Sequence, residues 1–466
     1  MKTQRIRDPI HDIIVFDDSG IIDQSAWELI RSNEFQRLRR VKQLGVSEFI
    51  FPSATHTRFA HSIGVFNNAR RLIELIHREI KAKRVEGNFD LDRAKITLFA
   101  ALLHDIGHGP FSHAFEEARK SIATTRGKGL KIRKHEAFTA DMIENKQSTI
   151  AQVISASGVD PAAVAQLIRA ETPTDMYHAV VSSSFDADRL DYLMRDRHMT
   201  GTGAGAIDLG WLLDNVRVAM IDFSPPESEA AEPIYQHSFC LGHKARDAAE
   251  DFLLARYRLY TNVYFHKATR GIEQLVSHLF KLMAYELADK GRIDGLRADH
   301  PLTLFFRDGG ETVHNYLQLD DTVVWGAIHD LALSGTRHTR TTARRLLTRE
   351  RPLCLDIQHE FPDDPERQRR LIHRLNSVFA SEIGQSVFRD SMKLSLYGPI
   401  GADDERAQKR LMILKPDNEL TEITDFRDAT IVASSRERSF ERYYFLNEKD
   451  ATKASNETDS LRGRRR

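Results

Sequence analysis

Apolar positions along the chain recur mostly at intervals of three and four, the spacing of one face of a helix. Trp27, Leu29 and Ile30 belong to one such stretch, and Phe35, Leu38, Val41 and Leu44 to the next. Leu72, Leu75, Ile76 and Ile80 form a third, ending at the basic cluster 81–84 and Gly87. Asp90-Leu91-Asp92 is a start signal for a helix carrying Ile96, Phe99 and Leu103, which Gly107-His108-Gly109-Pro110 stops. Helices resume through Ile168 and across 185–197, and a long one is predicted over 244–287. Strand-like runs are few: 13–16, the pair 216–221 and 234–239 joined through Pro225-Pro226, and 392–397, 411–414 and 443–446. The expected fold is mainly α, with a helical domain over 1–290 and a smaller α+β C-terminal lobe over 291–449. The tail 450–466, ending RGRRR, is polar enough to predict disorder. The basic, glycine-containing stretch 120–134 predicts a mobile loop.

Composition narrows the function. With 67 basic and 67 acidic residues the net charge is zero, which argues against a protein that coats nucleic acid or an anionic membrane. Cys240 and Cys354 are the two cysteines, too few for a disulfide scaffold or a cysteine-rich zinc module. No apolar run is long enough to predict a membrane span. The start MKTQRIRDPIHD lacks an apolar signal segment, so a cytoplasmic location is expected. Histidine is the exception to this even texture: seven of the 20 fall between His56 and His135, where an even spread would put about three.

Three local patterns carry chemistry. HTRFAHS holds His56, Arg58 and His61. LLHDIGHGPFSH holds His104, Asp105, His108 and His113, with Glu116 and His135 beyond it. SSFDADRLDYLMRD holds Asp186, Asp188, Asp191, Tyr192 and Asp196. His104-Asp105 sits where an apolar helix ends in a glycine-flanked turn, while His61 and Asp188 open helices. Two imidazoles and two carboxylates form a mixed N/O set suited to one divalent metal: Mn, Mg, Fe, Zn or Ni. Such an ion binds phosphate oxygens and acidifies water, which is hydrolase chemistry. In RYRLYTNVYFHK, Arg256, Tyr260, Tyr264 and Lys267 recur at three and four, so a helix would place them on one face. Cations alternating with phenols suit a polyphosphate beside a sugar or base; a solvated charged face explains the same spacing.

His61…His104-Asp105…Asp188 resembles the metal quartet of the HD-domain phosphohydrolases. More narrowly, IRDPIHD, EFQRLRRVKQLG, FPSATHTRFAHSIGV, LLHDIGHGPFSH, KHE, DADRLDYLMRD and RYRLYTNVYFHK resemble the SAM- and HD-domain deoxynucleoside triphosphate triphosphohydrolases and their bacterial relatives, over roughly residues 5–270. No SAM domain is expected in this chain. The resemblance implies an HD-domain helical core and hydrolysis of a deoxynucleoside triphosphate to deoxynucleoside and triphosphate, by attack of water on the α-phosphorus. It implies that Arg58, Tyr192, Asp196, Tyr264, His266 and Lys267 contact the triphosphate or sugar, and that Gln43-Leu44 reads the deoxyribose face. His113 would line the same pocket. His108 and His135 would act as general acids, with Glu116 orienting them. Arg58, Arg256 and Lys267 would neutralise charge developing on phosphate.

The resemblance also implies a homo-oligomer, a dimer or tetramer, with a nucleotide effector site at Arg5, Ile6, Gln36 and Arg39. The acid that would read guanine there is replaced by Arg31, which can only donate hydrogen bonds. Asp12 stands where the resembling stretch commonly has glycine. The alternatives are an HD phosphohydrolase of monophosphates, cyclic nucleotides or an alarmone, and a nucleic-acid-binding nucleotide sensor supported by Arg344-Arg345, the cluster 37–42 and RGRRR.

Overall fold

A computed structural model describes the chain except residues 1, 126–132, 171–172, 204–205, 224–233, 397, 400–409, 432–436 and 464–466. The 225–226 loop, residues 126–132 of the basic stretch 120–134 and residues 464–466 of the tail thus lie outside the described residues. The helix His113–Thr125 occupies the first part of that basic stretch.

The chain opens with a hairpin, Gln4–Asp8 against Asp12–Phe16. Asp12 sits at φ 58 in its turn, a left-handed position that explains why glycine suits it. Phe16 faces inward and stacks on Phe66, with ring centroids 5.8 Å apart. Phe66 belongs to the long helix Arg58–Lys81, which packs against the helices Leu91–Leu103 and Ala187–Thr200. Both helices start from an aspartate cap: Asp90 accepts from the amides of Asp92 and Arg93, and Asp186 from that of Arg189.

Helices predominate, as expected, but the lobes divide elsewhere. Leu302, Phe305, Tyr316, Ile328 and Leu346 join the same core as Ile14, Phe66 and Leu102. The charged connection after Gly291 hides this, because the apolar stripe resumes beyond it on the helices Pro301–Phe306, Val313–Leu317, Asp321–Ser334 and Arg337–Thr348. A separate core of Ile357, Leu371, Leu375, Val387 and Tyr443 underlies the smaller lobe. The packing therefore changes between Leu346 and Ile357, not at 290/291. The smaller lobe is built on an antiparallel sheet whose central strands are Arg438–Phe445 and Val387–Ser395. The strand Met412–Leu414 returns to the main body and pairs in parallel with Tyr235–Gly242, itself antiparallel to Val216–Asp222.

Three further expectations are corrected. The 450–466 tail is a helix over Glu448–Arg462, capped by Asn447 and closed by Gly463 at φ 74. Its apolar stripe is narrow, with Ala454 buried at 0%, which a hydropathy argument misses. The segment 244–287 is two helices, Arg246–Leu259 and Lys267–Lys290, separated by a π turn at Tyr260–Tyr264 and an extended His266. Arg256, Tyr260, Tyr264 and Lys267 thus do not share one regular helical face. The helical spacing over Phe35, Leu38, Val41 and Leu44 ends early, with the helix Asn33–Arg37 and a 3-10 turn at Leu38–Arg40, so Gln43 and Leu44 lie on a loop. No helix among the described residues is long and apolar enough to cross a membrane.

Candidate metal and nucleotide site

His61, His104 and Asp188 converge, their ligand atoms all within 4.8 Å of one another. His61 comes from the first turn of Arg58–Lys81, His104 from the C-terminal end of Leu91–Leu103, and Asp188 from the first turn of Ala187–Thr200. His104 Nδ1 donates to the carbonyl of Ala101 at 2.9 Å, which leaves the lone pair on Nε2. That nitrogen is buried without a hydrogen bond, as expected for an atom that takes a metal. His61 is prepared in the same way, with Nδ1 2.8 Å from Asp191 Oδ2 and Nε2 3.0 Å from Asp188 Oδ1. Burial lowers the pKa of His61, but the hydrogen bonds to Asp188 and Asp191 outweigh it and raise the value to about 10. The carboxylates that raise it would equally be satisfied by a cation, and the donor set fits a divalent metal.

Asp105 is beside this group but turned partly away. Its Oδ1 is 3.3 Å from the Nε2 atoms of both His104 and His108, and its Oδ2 accepts from Arg58 at 2.6 Å. Burial opposes its ionisation, but Arg58 and the neighbouring imidazoles hold its carboxyl well below the usual range.

Behind His61 lies a buried frame whose members Asp8, His11 and Arg195 escaped the sequence analysis. Asp191 accepts from His61, from His11 at 2.7 Å and from Arg195 at 2.8 and 2.9 Å, and Arg195 reaches Asp8 at 2.8 Å. Gly64, one turn after His61, admits this carboxylate. The available signal was periodicity: Asp191 and Arg195 follow Asp188 at helical spacing.

A second imidazole pair flanks the cluster. His135 Nδ1 is 2.8 Å from Glu116 Oε1, and its ring stacks on His108 with centroids 3.7 Å apart. Burial disfavours a charged His135, yet Glu116 raises its pKa. Burial together with Arg58 and His135 pushes His108 well below the ordinary value. The two stacked rings are thus shifted in opposite directions. Glu116 is held far below the usual carboxylate range, against its burial, by the imidazoles of His113 and His135, of which His135 is hydrogen-bonded to it. His113 itself is exposed, with Nδ1 3.8 Å from Glu116.

The remaining residues fall into smaller groups. Arg58 donates through Nε and Nη2 to Ser112 Oγ at 3.1 and 2.8 Å. Asp196 is 1% exposed, accepting from Tyr264 at 2.6 Å and lying 2.7 Å from His56 Nε2. The phenols of Tyr192 and Tyr264 are both shifted upward, chiefly by burial. Arg256 is buried with its guanidinium 5.6 Å from the centre of the Tyr260 ring. His266 caps the helix Lys267–Lys290, receiving the amide of Ala268 at 3.3 Å, and Lys267 is exposed. The smaller lobe braces this turn: Tyr444 donates to the carbonyl of Lys267 at 2.9 Å and Arg442 to that of Phe265 at 2.5 Å. Gln43 Oε1 is buried without a hydrogen bond, and Leu44 is half-buried.

Among the effector residues, Gln36 accepts from Arg39 at 2.9 Å, and the Arg39 guanidinium lies 3.5 Å from the Phe59 ring centre. Arg5 is exposed and Ile6 half-buried on the hairpin. No hydrogen bond or ion pair joins them to Gln36 or Arg39 among the described residues. Arg31 pairs with Glu28 at 3.1 Å.

Residues 58–194, which contain all four expected metal ligands, match the HD domain family model. The chain is 32% identical over 318 residues to the uncharacterized protein YwfO of Bacillus subtilis, covering 68% of this chain and 64% of that protein. It is 30% identical over 265 residues to the deoxynucleoside triphosphate triphosphohydrolase SAMHD1 homolog of Dictyostelium discoideum, covering 54% and 45%. The chain thus spans less than two thirds of the length of these curated relatives. In fold it is similar to a phosphohydrolase structure from Bacteroides thetaiotaomicron, with a TM-score of 0.70, 24% identity, and coverage of 96% of this chain and 100% of that one.

Proposed function

We propose that this HD-domain protein hydrolyses deoxynucleoside triphosphates to deoxynucleoside and triphosphate. The observation that carries this is the joining of a prepared ligand set, His61, His104 and Asp188, to a stacked imidazole pair, His108 and His135, whose pKa values are shifted in opposite directions. His61, His104 and Asp188 would hold a divalent metal, with Asp105 beside them. That ion, when bound, supplies charge for phosphate oxygens and lowers the pKa of water. In the reaction water adds to the α-phosphorus, the bond from phosphorus to the sugar 5′ oxygen breaks, and that oxygen needs a proton. His135, charged through Glu116, is the proton donor, and neutral His108 lies against it. Arg58, Arg256 and Lys267 take the phosphate charge, and Tyr192, Asp196, Tyr264 and the Gln43-Leu44 loop take the sugar. Assembly into a dimer or tetramer, with an effector at Arg5, Ile6, Gln36 and Arg39, belongs to the same proposal.

The test incubates purified protein and Mn²⁺ or Mg²⁺ with each dNTP and separates the products. Deoxynucleoside and triphosphate are expected, and His104→Ala or Asp188→Asn abolishes them. Monophosphate with pyrophosphate, or turnover that survives both substitutions, would reject the mechanism.

A further inference from the structure

Asp321 lies outside the stretch that matches the HD model, yet its side chain is spent on the site. Its carboxylate is 3% exposed and serves two segments far away in sequence. Oδ2 accepts the amide of Lys42 at 2.9 Å, and Oδ1 accepts the amide of Phe111 at 2.8 Å. Lys42 precedes Gln43 and Leu44, whose loop is tied to the HD helix by the amides of Gln43, donating to His56, and of Arg58, donating to Val41. Phe111 and Ser112 sit at φ 52 and 49, left-handed values that two consecutive non-glycine residues keep only when their surroundings enforce them. Ser112 in turn accepts two donors of Arg58, which pairs with Asp105. The two segments also touch directly: a Cβ on Gly45, itself at φ +52, would meet the carbonyl oxygen of Phe111 at 3.2 Å.

The carboxylate of Asp321 is not needed to cap its own helix. Asp320 does that, accepting the amide of Val323 at 3.0 Å and pairing with Arg40 at 2.6 Å. A buried anion satisfied by two backbone amides from separate segments is costly unless it fixes those segments together.

We propose that Asp321 is a positioning residue that locks the sugar-facing loop 41–45 and the strained turn 109–112 into one frame, and so aims Arg58 at the polyphosphate. This rests on Arg58 binding phosphate, as in the function proposed above. Burial pushes the carboxyl up to about 6, against the two backbone amides and the charge of Lys42, which favour the anion.

The test uses inorganic triphosphate with Mn²⁺ in titration calorimetry, and dNTP turnover in parallel. Asp321→Asn keeps the size but offers one acceptor oxygen where two amides need acceptors. It is expected to weaken triphosphate binding about tenfold and to raise KM with kcat little changed, at unaltered metal content. Gly45→Ala, which presses on the same junction, is expected to act in the same direction and serves where Asp321→Asn folds poorly. Asp320→Ala removes the neighbouring cap and is expected to lower the unfolding midpoint without changing binding. Wild-type affinity in both Asp321→Asn and Gly45→Ala, an equal loss in Asp320→Ala, or a wild type that does not bind triphosphate would each overturn the proposal. A wild type that binds triphosphate but turns over no dNTP rejects the proposed reaction, and the binding ratio still decides the role of Asp321.

Discussion

Replacing Gly64 by alanine tests the frame behind His61. The new Cβ would lie 1.9 Å from Asp191 Oδ1 and 2.6 Å from an Arg195 guanidinium nitrogen. Ordinary contact begins near 3.4 Å, so the carboxylate would have to retreat by about 1.5 Å. It cannot retreat freely, because its oxygens are bound to His61, His11 and Arg195, all with almost no exposed side chain. Two effects compete. Alanine favours the helix over glycine by about 1 kcal/mol. Disrupting one charge-assisted hydrogen bond costs roughly 1.5–3 kcal/mol, and breaking a buried ion pair about 3–5 kcal/mol. The second effect wins, and a net loss of about 2 kcal/mol is expected. Metal affinity should fall about 10–100-fold, since His61 loses the acceptor that orients it. Urea unfolding gives the first quantity and Mn²⁺ titration the second. A variant that is as stable as the wild type and binds metal equally well would refute the geometry.

Glu116→Gln removes the anion that raises the pKa of His135, so the alkaline limb of kcat against pH should move to lower pH; an unmoved limb rejects His135 as the donor. The stability from this pair is fully present below the unfolded histidine pKa, near 6.5, and is lost as pH rises through the raised folded value. The variant should therefore lose stability at acidic, not alkaline, pH in melts run across that range. Arg37 is 2% exposed and donates to the carbonyls of Leu319, Ile106 and His108. Arg37→Met should cost about 3 kcal/mol by chemical denaturation, and a loss under about 1 kcal/mol contradicts its bracing role. Tyr264→Phe leaves one oxygen of Asp196 without its donor and should raise KM for dNTP with roughly 1–2 kcal/mol lost in kcat/KM, read by steady-state kinetics. Chelation should lower the thermal midpoint and Mn²⁺ restore it, whereas K⁺ at equal ionic strength should not.

The site was more legible than the frame that supports it. His104 and Asp188 could be found because each sits within a turn of a helix end that the sequence marks, through Gly107 as a stop and Asp186 as a cap, whereas His61 opens a helix whose start carries no side-chain cap. Side chains that act across the chain leave no local mark. Arg37 reaches the carbonyl of Leu319 across 282 positions, and Asp321 reaches the amide of Phe111 across 210. The break at His266 was hidden because its neighbours keep helical spacing, and only a π turn followed by an extended residue makes room for the cap. The helix Glu448–Arg462 was missed for the opposite reason. Its buried face is made of Ala454 and Thr458, which carry almost no hydrophobic signal.

The zero net charge of the chain conceals a local imbalance that explains the metal site. Asp105, Asp188 and Asp191 lie against His61, Asp8 joins them through Arg195 and Asp191, and the guanidiniums among them are Arg58 and Arg195. Asp186 adds nothing to the count, because Arg189 neutralises it. Four carboxylates against two guanidiniums leave a deficit of two positive charges in a region where Asp188 alone of the four is much exposed. Such a deficit is too costly to leave uncompensated. The same carboxylates, Asp188 and Asp191, raise the pKa of His61 to about 10, so a proton there would make up half of it. A divalent cation would make up the whole, and it would do so while freeing the His61 Nε2 lone pair to bind it. Arg195 is therefore spent on carboxylates, and Arg58 shares its guanidinium between Asp105 and Ser112. Attraction for a polyphosphate would then come from the cation itself together with Arg58, Arg256 and Lys267, which explains how an electrically neutral chain can hold a small polyanion without presenting a basic surface.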